Sequence, residues 1–424
     1  MTTITVQNPS EARPRAAARE SSRSYATVIL LLILVAASAL RFYRLGEGLW
    51  LDEIITDYEY VRLPYHEIIT TYDSENQHFL YTLIARAAYD LFGPSPWALR
   101  LPAALFGIGS LTALYFLARR VTSVSEGLLA TALLAFSYHH IWFSQNARGY
   151  SGLLFWTLLS SWTLLAALQT GRIRYWLAFA AAGALGLYTH MTMVFVVFGQ
   201  AAVAALWLFN QRAEAAALLR GMLLGFSGAA GLSLLLYAPV LPHLLRGLGR
   251  EPSVVGEWKS PLWTLSELLR GLNIGFAGGL AALVALVVVA AGLLSYLRRQ
   301  PAIVVLLGVP VLAGALVVIG MGHHLWPRFF YFAFGFGALV LVRGAFLTGQ
   351  WITGWLARRR PGRLAVNPAW GGVAVCLVLI VAAAASTPKV YGPKQDYEGA
   401  MAFVTEQRQP GDAVVTASIA ALPY

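Results

Sequence analysis

The sequence predicts an all-α polytopic membrane protein with about 11 transmembrane helices, juxtamembrane helices in a large first outer loop, and the start of a small outer α/β segment. Three observations predict it. Of the 424 residues, 58% are hydrophobic and 12% charged, where a soluble domain carries about a quarter charged residues. Uncharged apolar runs recur, most clearly at 27–40 with its flanks, 275–296 and 301–321, each long enough for about 30 Å of hydrocarbon. Arginines gather in short clusters between such runs, the positive-inside pattern of a multi-pass protein. That pattern accounts for the formal charge of +11 without nucleic acid.

From the N-terminus, residues 1–24 form a polar tail, expected as cytoplasmic and disordered. It is too long for the n-region of a signal peptide, so 25–43 is expected as an uncleaved first span despite Ala37-Ser38-Ala39. The clusters at 13–23, Arg119-Arg120, Arg172 with Arg174, Arg212 with Arg220, Arg298-Arg299 and Arg358-Arg359-Arg360 with Arg363 go to the cytoplasm. Three candidates precede Arg119: 25–43, 77–92 and 97–118. Two crossings keep tail and cluster on one side, and 77–92 is the shortest and carries Arg86 and Asp90. Residues 43–96 are therefore read as one outer loop of amphipathic surface helices, with 57–72 bent at Pro64.

Runs at 125–144 and 150–169 make a hairpin. The stretch from Arg174 to Arg212 suits two crossings that turn near Tyr188-Thr189-His190. Spans at 219–240, 275–297, 301–321, 328–348 and 371–387 complete a membrane domain over 25–388. In 389–424, a helix at 394–407, the turn Pro410-Gly411-Asp412 and a strand at 413–416 cannot bury a core by themselves. They are expected as the start of an extracytoplasmic domain cut at Tyr424. The lone Cys376 has no internal disulfide partner, and the chain shows no metal-type cysteine spacing, P-loop or dinucleotide fingerprint.

The polar constellations all fall on the expected outer side, where polar groups at membrane depth carry a cost and usually a role. Trp50-Leu51-Asp52-Glu53 follows the first span. Paired acids there are either solvated loop residues or carboxylates held near the head groups, where partial desolvation raises the pKa toward that of a general base. Asp73-Ser74-Glu75-Asn76-Gln77-His78 is either a helix cap or a second wall of the same cavity. Histidine beside an acid is also metal-ligand chemistry, so a divalent metal is the one cofactor the sequence leaves open. Ser137-Tyr138-His139-His140 leads to Ser144-Gln145-Asn146-Ala147-Arg148, and His323-His324-Leu325-Trp326-Pro327-Arg328 repeats the pattern. The histidines suit interface positions as well as ligand positions. Outer arginines run against the charge bias, and a phosphate is their natural partner through a bidentate fork.

These residues resemble the protein O-mannosyltransferase-like and aminoarabinose transferase-like glycosyltransferases of the GT-C fold. The matching stretches are Leu51-Asp52-Glu53, Gln77-His78-Phe79-Leu80-Tyr81-Thr82-Leu83, the run from Leu91-Phe92-Gly93-Pro94 to Leu101-Pro102, and Phe143-Ser144-Gln145-Asn146-Ala147-Arg148-Gly149-Tyr150. Gln395-Asp396-Tyr397 with Pro410-Gly411-Asp412 looks like the family's start of an outer domain. The likeness is strongest over 45–170.

The resemblance implies an inverting glycosyltransferase that takes a sugar from a polyprenyl-phosphate donor. The acceptor would be a hydroxyl on protein, lipid or polysaccharide at the outer face of the plasma membrane. Asp52 resembles the catalytic carboxylate and Glu53 its neighbour. Arg148 matches the family's Ser-Gln-x-x-Arg arginine, with Arg100 and Arg328 as further candidates for the donor phosphate. Glu75, Gln77, His78, His139, His140, His323 and His324 are candidates for the cavity, the acceptor or a metal. The family's paired prolines after the residue at Gln77 are replaced here by His78 and Phe79. Two other readings fit outer arginines: a lipid-linked sugar transporter, which would carry internal repeats and broken mid-membrane helices, and a glycan polymerase or ligase.

Overall fold

Every regular element among the described residues is helical. The computed structural model describes residues 9–72, 74, 76–211, 215–243, 260–275, 279–323, 325–359, 367–392 and 394–415. Helix α1 runs from Pro9 to Phe42. It thus includes residues 9–24 of the polar tail, where strong helix formers such as Ala16, Ala17 and Ala18 stand.

Eight helical segments are long and apolar enough to cross a membrane: Ser24–Phe42, Pro96–Val121, Tyr150–Thr170, Met193–Asn210, Ala215–Tyr237, Pro301–Gly320, Pro327–Arg359 and Pro368–Tyr391. They make the chain an integral membrane protein. Each matches an expected span. Three further expected spans do not meet this test among the described residues. One splits into α6 (Val124–Ala135) and α7 (Tyr138–Ser144). Another is α9 (Ile173–Thr189), of 17 residues. The third falls on the helix Gly279–Arg299.

Helices α5 (Pro96–Val121) and α8 (Tyr150–Thr170) form the centre. The apolar window of α8 is 78% buried and that of the helix Pro301–Gly320 only 22%, so the latter is peripheral. Exposed Leu234, Leu235, Leu312, Leu316, Val378 and Val381 face outward on such peripheral helices, as lipid contact requires. Lipid tails are as apolar as leucine, so helices associate through close packing at small residues. At Gly344 an added Cβ would overlap the carbonyl of Val288, and at Gly292 that of Val340.

The break at Phe136-Ser137 has a use. It frees the carbonyl of Ala135, which accepts from both Nη atoms of the fully buried Arg41 at 3.2 Å. Arg41 Nη1 also donates to Ala37 O at 2.9 Å, so a buried cation staples α1 to the end of α6.

Between α1 and α5 lies the loop that positions the site. It holds α2 (Leu51–Ile55), a π-helical turn (Thr56–Val61), α3 (Tyr65–Thr70) and α4 (Phe79–Phe92). The expected break at Pro64 is present, with the proline as the cap of α3. At 14 residues α4 is short for a crossing. After the last apolar helix, a 3₁₀ turn (Thr387–Tyr391) leads to a helix at Tyr397–Gln407. Residues 412–415 form no strand, which corrects that part of the expected α/β segment; residues 416–424 lie outside the described residues.

Candidate active site

Asp52 and Glu53 are adjacent on α2, and about 100° of helical rotation separates their side chains. Glu53 turns inward and is fully buried. Its Oε1 accepts from Arg100 Nε and from the N–H of Ala147, both at 2.8 Å. Its Oε2 accepts from Arg100 Nη2 at 2.6 Å and from the N–H of Trp50 at 3.3 Å. Burial alone would push this carboxyl up. The charge of Lys394, the bonds and charge of Arg100, and the Ala147 N–H outweigh burial and hold it below its usual value. Arg100 gives its other N–H groups to the carbonyls of Leu45, Glu47 and Gly48 at 2.6–3.0 Å.

The structure gives both members of this pair a full set of protein partners. Arg100 places all five of its donors on protein acceptors. Glu53 has no oxygen free to take a proton, and it ties the first loop, α5 and the 145–148 turn together.

Asp52 turns the other way and stays partly open, with its side chain 18% exposed. Its Oδ2 lies 2.6 Å from Arg148 Nη1 and 3.2 Å from Arg328 Nη1. Arg148 is buried; Nη2 donates to Asn76 Oδ1 at 2.8 Å and Nε to His78 Nε2 at 3.4 Å. Its guanidinium also stands 5.5 Å from the Tyr150 ring centre. Three of its five donors are thus placed. Arg328 stands 4.9 Å from the Trp326 ring centre, and its buried Nε finds no acceptor among the described residues. Two guanidiniums against one partly exposed carboxylate leave an excess of positive charge there.

The sequence around Arg148 explains its position. Gln145 Nε2 donates to the carbonyls of Arg41 and Tyr43, at 3.0 and 2.7 Å, and so caps the end of α1. Ala147 is held by Glu53. At Gly149 an added Cβ would stand 2.7 Å from Thr189 O and 3.0 Å from His78 Cγ. Only glycine lets the backbone pass there. The His78 ring stacks on His190 at 4.8 Å and both contact Tyr150. Burial, then the charge of His190 and Arg148, pushes the His78 pKa well down. Burial, then Arg148 and Arg328, pushes His190 down to about 3. Both rings are neutral, so His78 Nε2 can accept from Arg148.

The structure thus brings together Asp52, Arg148, Arg328 and His78. The other expected residues sit elsewhere. Gln77 is buried and holds α3 through Ile68 O at 3.0 Å. His140 bridges Arg41 and Ser110 Oγ. His139 lines an apolar cavity of about 160 Å³ with Leu133, Phe334 and Leu341. His323 closes the turn after the helix Pro301–Gly320 through its N–H to Val318 O. Glu75 and His324 lie outside the described residues. No group of three or more His, Cys, Asp or Glu that could hold a metal occurs among the described residues. Among the described residues the groups around Asp52 are cationic and suit an anion.

Sequence reasoning missed Asn76, Tyr150, His190 and Lys394. Asn76 and Tyr150 stand within stretches already singled out. His190 and Lys394 reach the site only through tertiary contacts.

Residues 76–243 match the family model described as dolichyl-phosphate-mannose-protein mannosyltransferase. YkcB of Bacillus subtilis (strain 168), by its name a candidate mannosyltransferase, is 23% identical over 195 residues. That match covers 42% of this chain and 26% of YkcB, so the chain spans about a quarter of this curated relative. ArnT from Cupriavidus metallidurans, solved bound to undecaprenyl phosphate, superposes with a TM-score of 0.58 at 13% identity. The superposition covers 94% of this chain and 84% of ArnT. An oligosaccharyltransferase of Archaeoglobus fulgidus, tethered with an acceptor peptide, gives 0.51 at 14% identity over 90% of this chain and 57% of that one. At these identities the likeness is one of fold. The chain has the GT-C fold, and its residues 76–243 carry the sequence pattern of the dolichyl-phosphate-mannose-protein mannosyltransferases.

Proposed function

We propose that the chain is an inverting glycosyltransferase that moves a sugar from a polyprenyl-phosphate donor to a hydroxyl acceptor at the outer face of the membrane. One observation carries the reading: Asp52 is a partly open carboxylate between two arginines that retain donors. In the reaction, Asp52 takes the proton of the acceptor hydroxyl while that oxygen attacks the anomeric carbon. The new carbon–oxygen bond forms as the bond to the lipid phosphate breaks. Arg148 and Arg328 take up the charge of the leaving phosphate, where preorganised cations act most strongly. One base and one direct displacement give inversion. Binding the phosphate recruits both guanidiniums and so uncovers the carboxylate they hold.

The arrangement of charge supports the orientation. Asp52, Arg148 and Arg328 stand at the starts of α2, α8 and the segment Pro327–Arg359. Arg119-Arg120, Arg172 with Arg174, Arg298-Arg299 and Arg358-Arg359 stand at the opposite helix ends. The positive-inside bias puts that arginine-rich end in the cytoplasm and the site outside. The undecaprenyl phosphate in the ArnT structure supports the donor class.

The test is transfer from a panel of radiolabelled polyprenyl-phosphate sugars in membranes containing the protein. Arg148→Gln and Arg328→Gln are each expected to raise the donor KM about tenfold or more, the loss of a charge-assisted contact. Wild-type transfer that neither variant alters would remove the arginines from the donor site.

A further inference from the structure

The run Gln395-Asp396-Tyr397 has no part in the reaction above, yet it does not stand apart from the site. Gln395 Oε1 accepts from the N–H of Leu51 at 2.9 Å, across 344 residues of chain. That N–H lies in the first turn of α2, which has no acceptor of its own within the helix, and the next residue is Asp52. Lys394 Nζ donates to the carbonyl of Gln145 at 2.9 Å, in the turn that carries Arg148. The same ammonium stands 4.6 Å from the Trp142 ring centre and 5.8 Å from that of Trp50. Trp50 precedes α2, and its ring lies 5.7 Å from Trp142. Tyr391 fastens the base of the segment, donating to Leu40 O at 2.7 Å and meeting Tyr43 edge-on.

We infer that Lys394 and Gln395 are positioning residues for the Asp52–Arg148 pair, each holding one of the two turns that present it. Two consecutive residues thus set the distance between carboxylate and guanidinium from outside both loops. The inference rests on the function proposed above for Asp52.

Charge makes the role of Lys394 testable. It faces Glu53 and Arg100, and Arg44, Glu47, Tyr391 and Asp396 share with it the lining of a cavity of about 250 Å³. Burial lowers its pKa, Glu53 raises it and Arg100 lowers it, with about 8 as the outcome. Above that pH the ammonium loses its proton, and with it the cation–π contacts to both tryptophans.

The experiment compares the wild-type chain with Gln395→Ala, Lys394→Met and Lys394→Arg in nanodiscs. Two readouts are taken: hydrogen exchange of the peptide spanning 45–56, and kinetics with a radiolabelled polyprenyl-phosphate sugar. Gln395→Ala and Lys394→Met are expected to speed exchange at 45–56 and leave α8 protected. Gln395→Ala should lower kcat about tenfold with little change in donor KM, as a small misplacement of a reacting group does, whereas Lys394→Met, which frees the turn carrying Arg148, should lower kcat and also raise donor KM. Wild type should lose turnover above about pH 8. Lys394→Arg, charged throughout, should recover part of kcat and lose that alkaline limb. Wild-type exchange and kcat in both Gln395→Ala and Lys394→Met would overturn the inference. A wild-type chain that transfers no sugar would overturn the proposed function instead, and the exchange readout would still decide the positioning role.

Discussion

Two neighbouring carboxylates on one short helix have opposite surroundings. Glu53 is fully buried and accepts four hydrogen bonds, two from Arg100 and two from backbone N–H groups. Asp52 is partly open and its Oδ2 meets two arginines. The arginines divide in the same way. Arg100 spends every donor on protein, whereas Arg148 places three of its five and Arg328 Nε has no acceptor among the described residues. The difference teaches how a membrane protein can hold a charged group in place: the saturated pair fixes the geometry, and in the proposed reaction the trio of Asp52, Arg148 and Arg328 meets the substrate.

The largest expected break of this comparison is in stability. Glu53→Ala strands a buried Arg100 without its anion, a loss on the order of 3–5 kcal/mol. Thermal unfolding in detergent should show it as a large fall in melting temperature. Asp52→Asn should cost much less, because Arg148 keeps Asn76 and His78. Equal losses in the two variants would erase the distinction.

A smaller effect is expected behind Arg148. Gly149→Ala places a methyl against Thr189 O and the His78 ring, overpacking that typically costs about 1–3 kcal/mol. Transfer should fall with it as Arg148 shifts, and a melting temperature and rate equal to wild type would contradict the close approach.

The smallest effect is acid sensitivity. His78 and His190 are held neutral when folded, with folded pKa values below the ordinary 6.5. The unfolded chain therefore binds protons first as pH falls. The stability these rings contribute is whole above about pH 6.5 and is lost on descent toward the His190 value of about 3. Melting temperature measured from pH 8 to 4.5 should decline, and His190→Phe should flatten the decline.

Much of this was legible in the sequence. Run length and arginine clusters gave the eight long apolar helices. Asp52 and Arg148 stood out because acids and arginines beside an apolar span need a reason. Arg328 stood out by the same logic. What could not be read was which neighbour faced inward, since Asp52 and Glu53 differ only by a step of helical rotation. Arg100 looked like a phosphate ligand because the carbonyls of Leu45, Glu47 and Gly48 that absorb its donors belong to a loop 52–55 residues away. The split of 125–144 falls at Phe136-Ser137, and the bond of Arg41 to the Ala135 carbonyl that the break frees is tertiary. The contribution of Gln395 to α2 spans most of the chain.

The most direct test of the central claim is transfer from a radiolabelled polyprenyl-phosphate sugar by purified Asp52→Asn beside wild type, with folding checked by thermal unfolding. Removal of the general base predicts a loss of about 10²–10⁴-fold in kcat in a protein that remains folded. Equal transfer by both would contradict Asp52 as the base, and with it the division of labour between the two carboxylates.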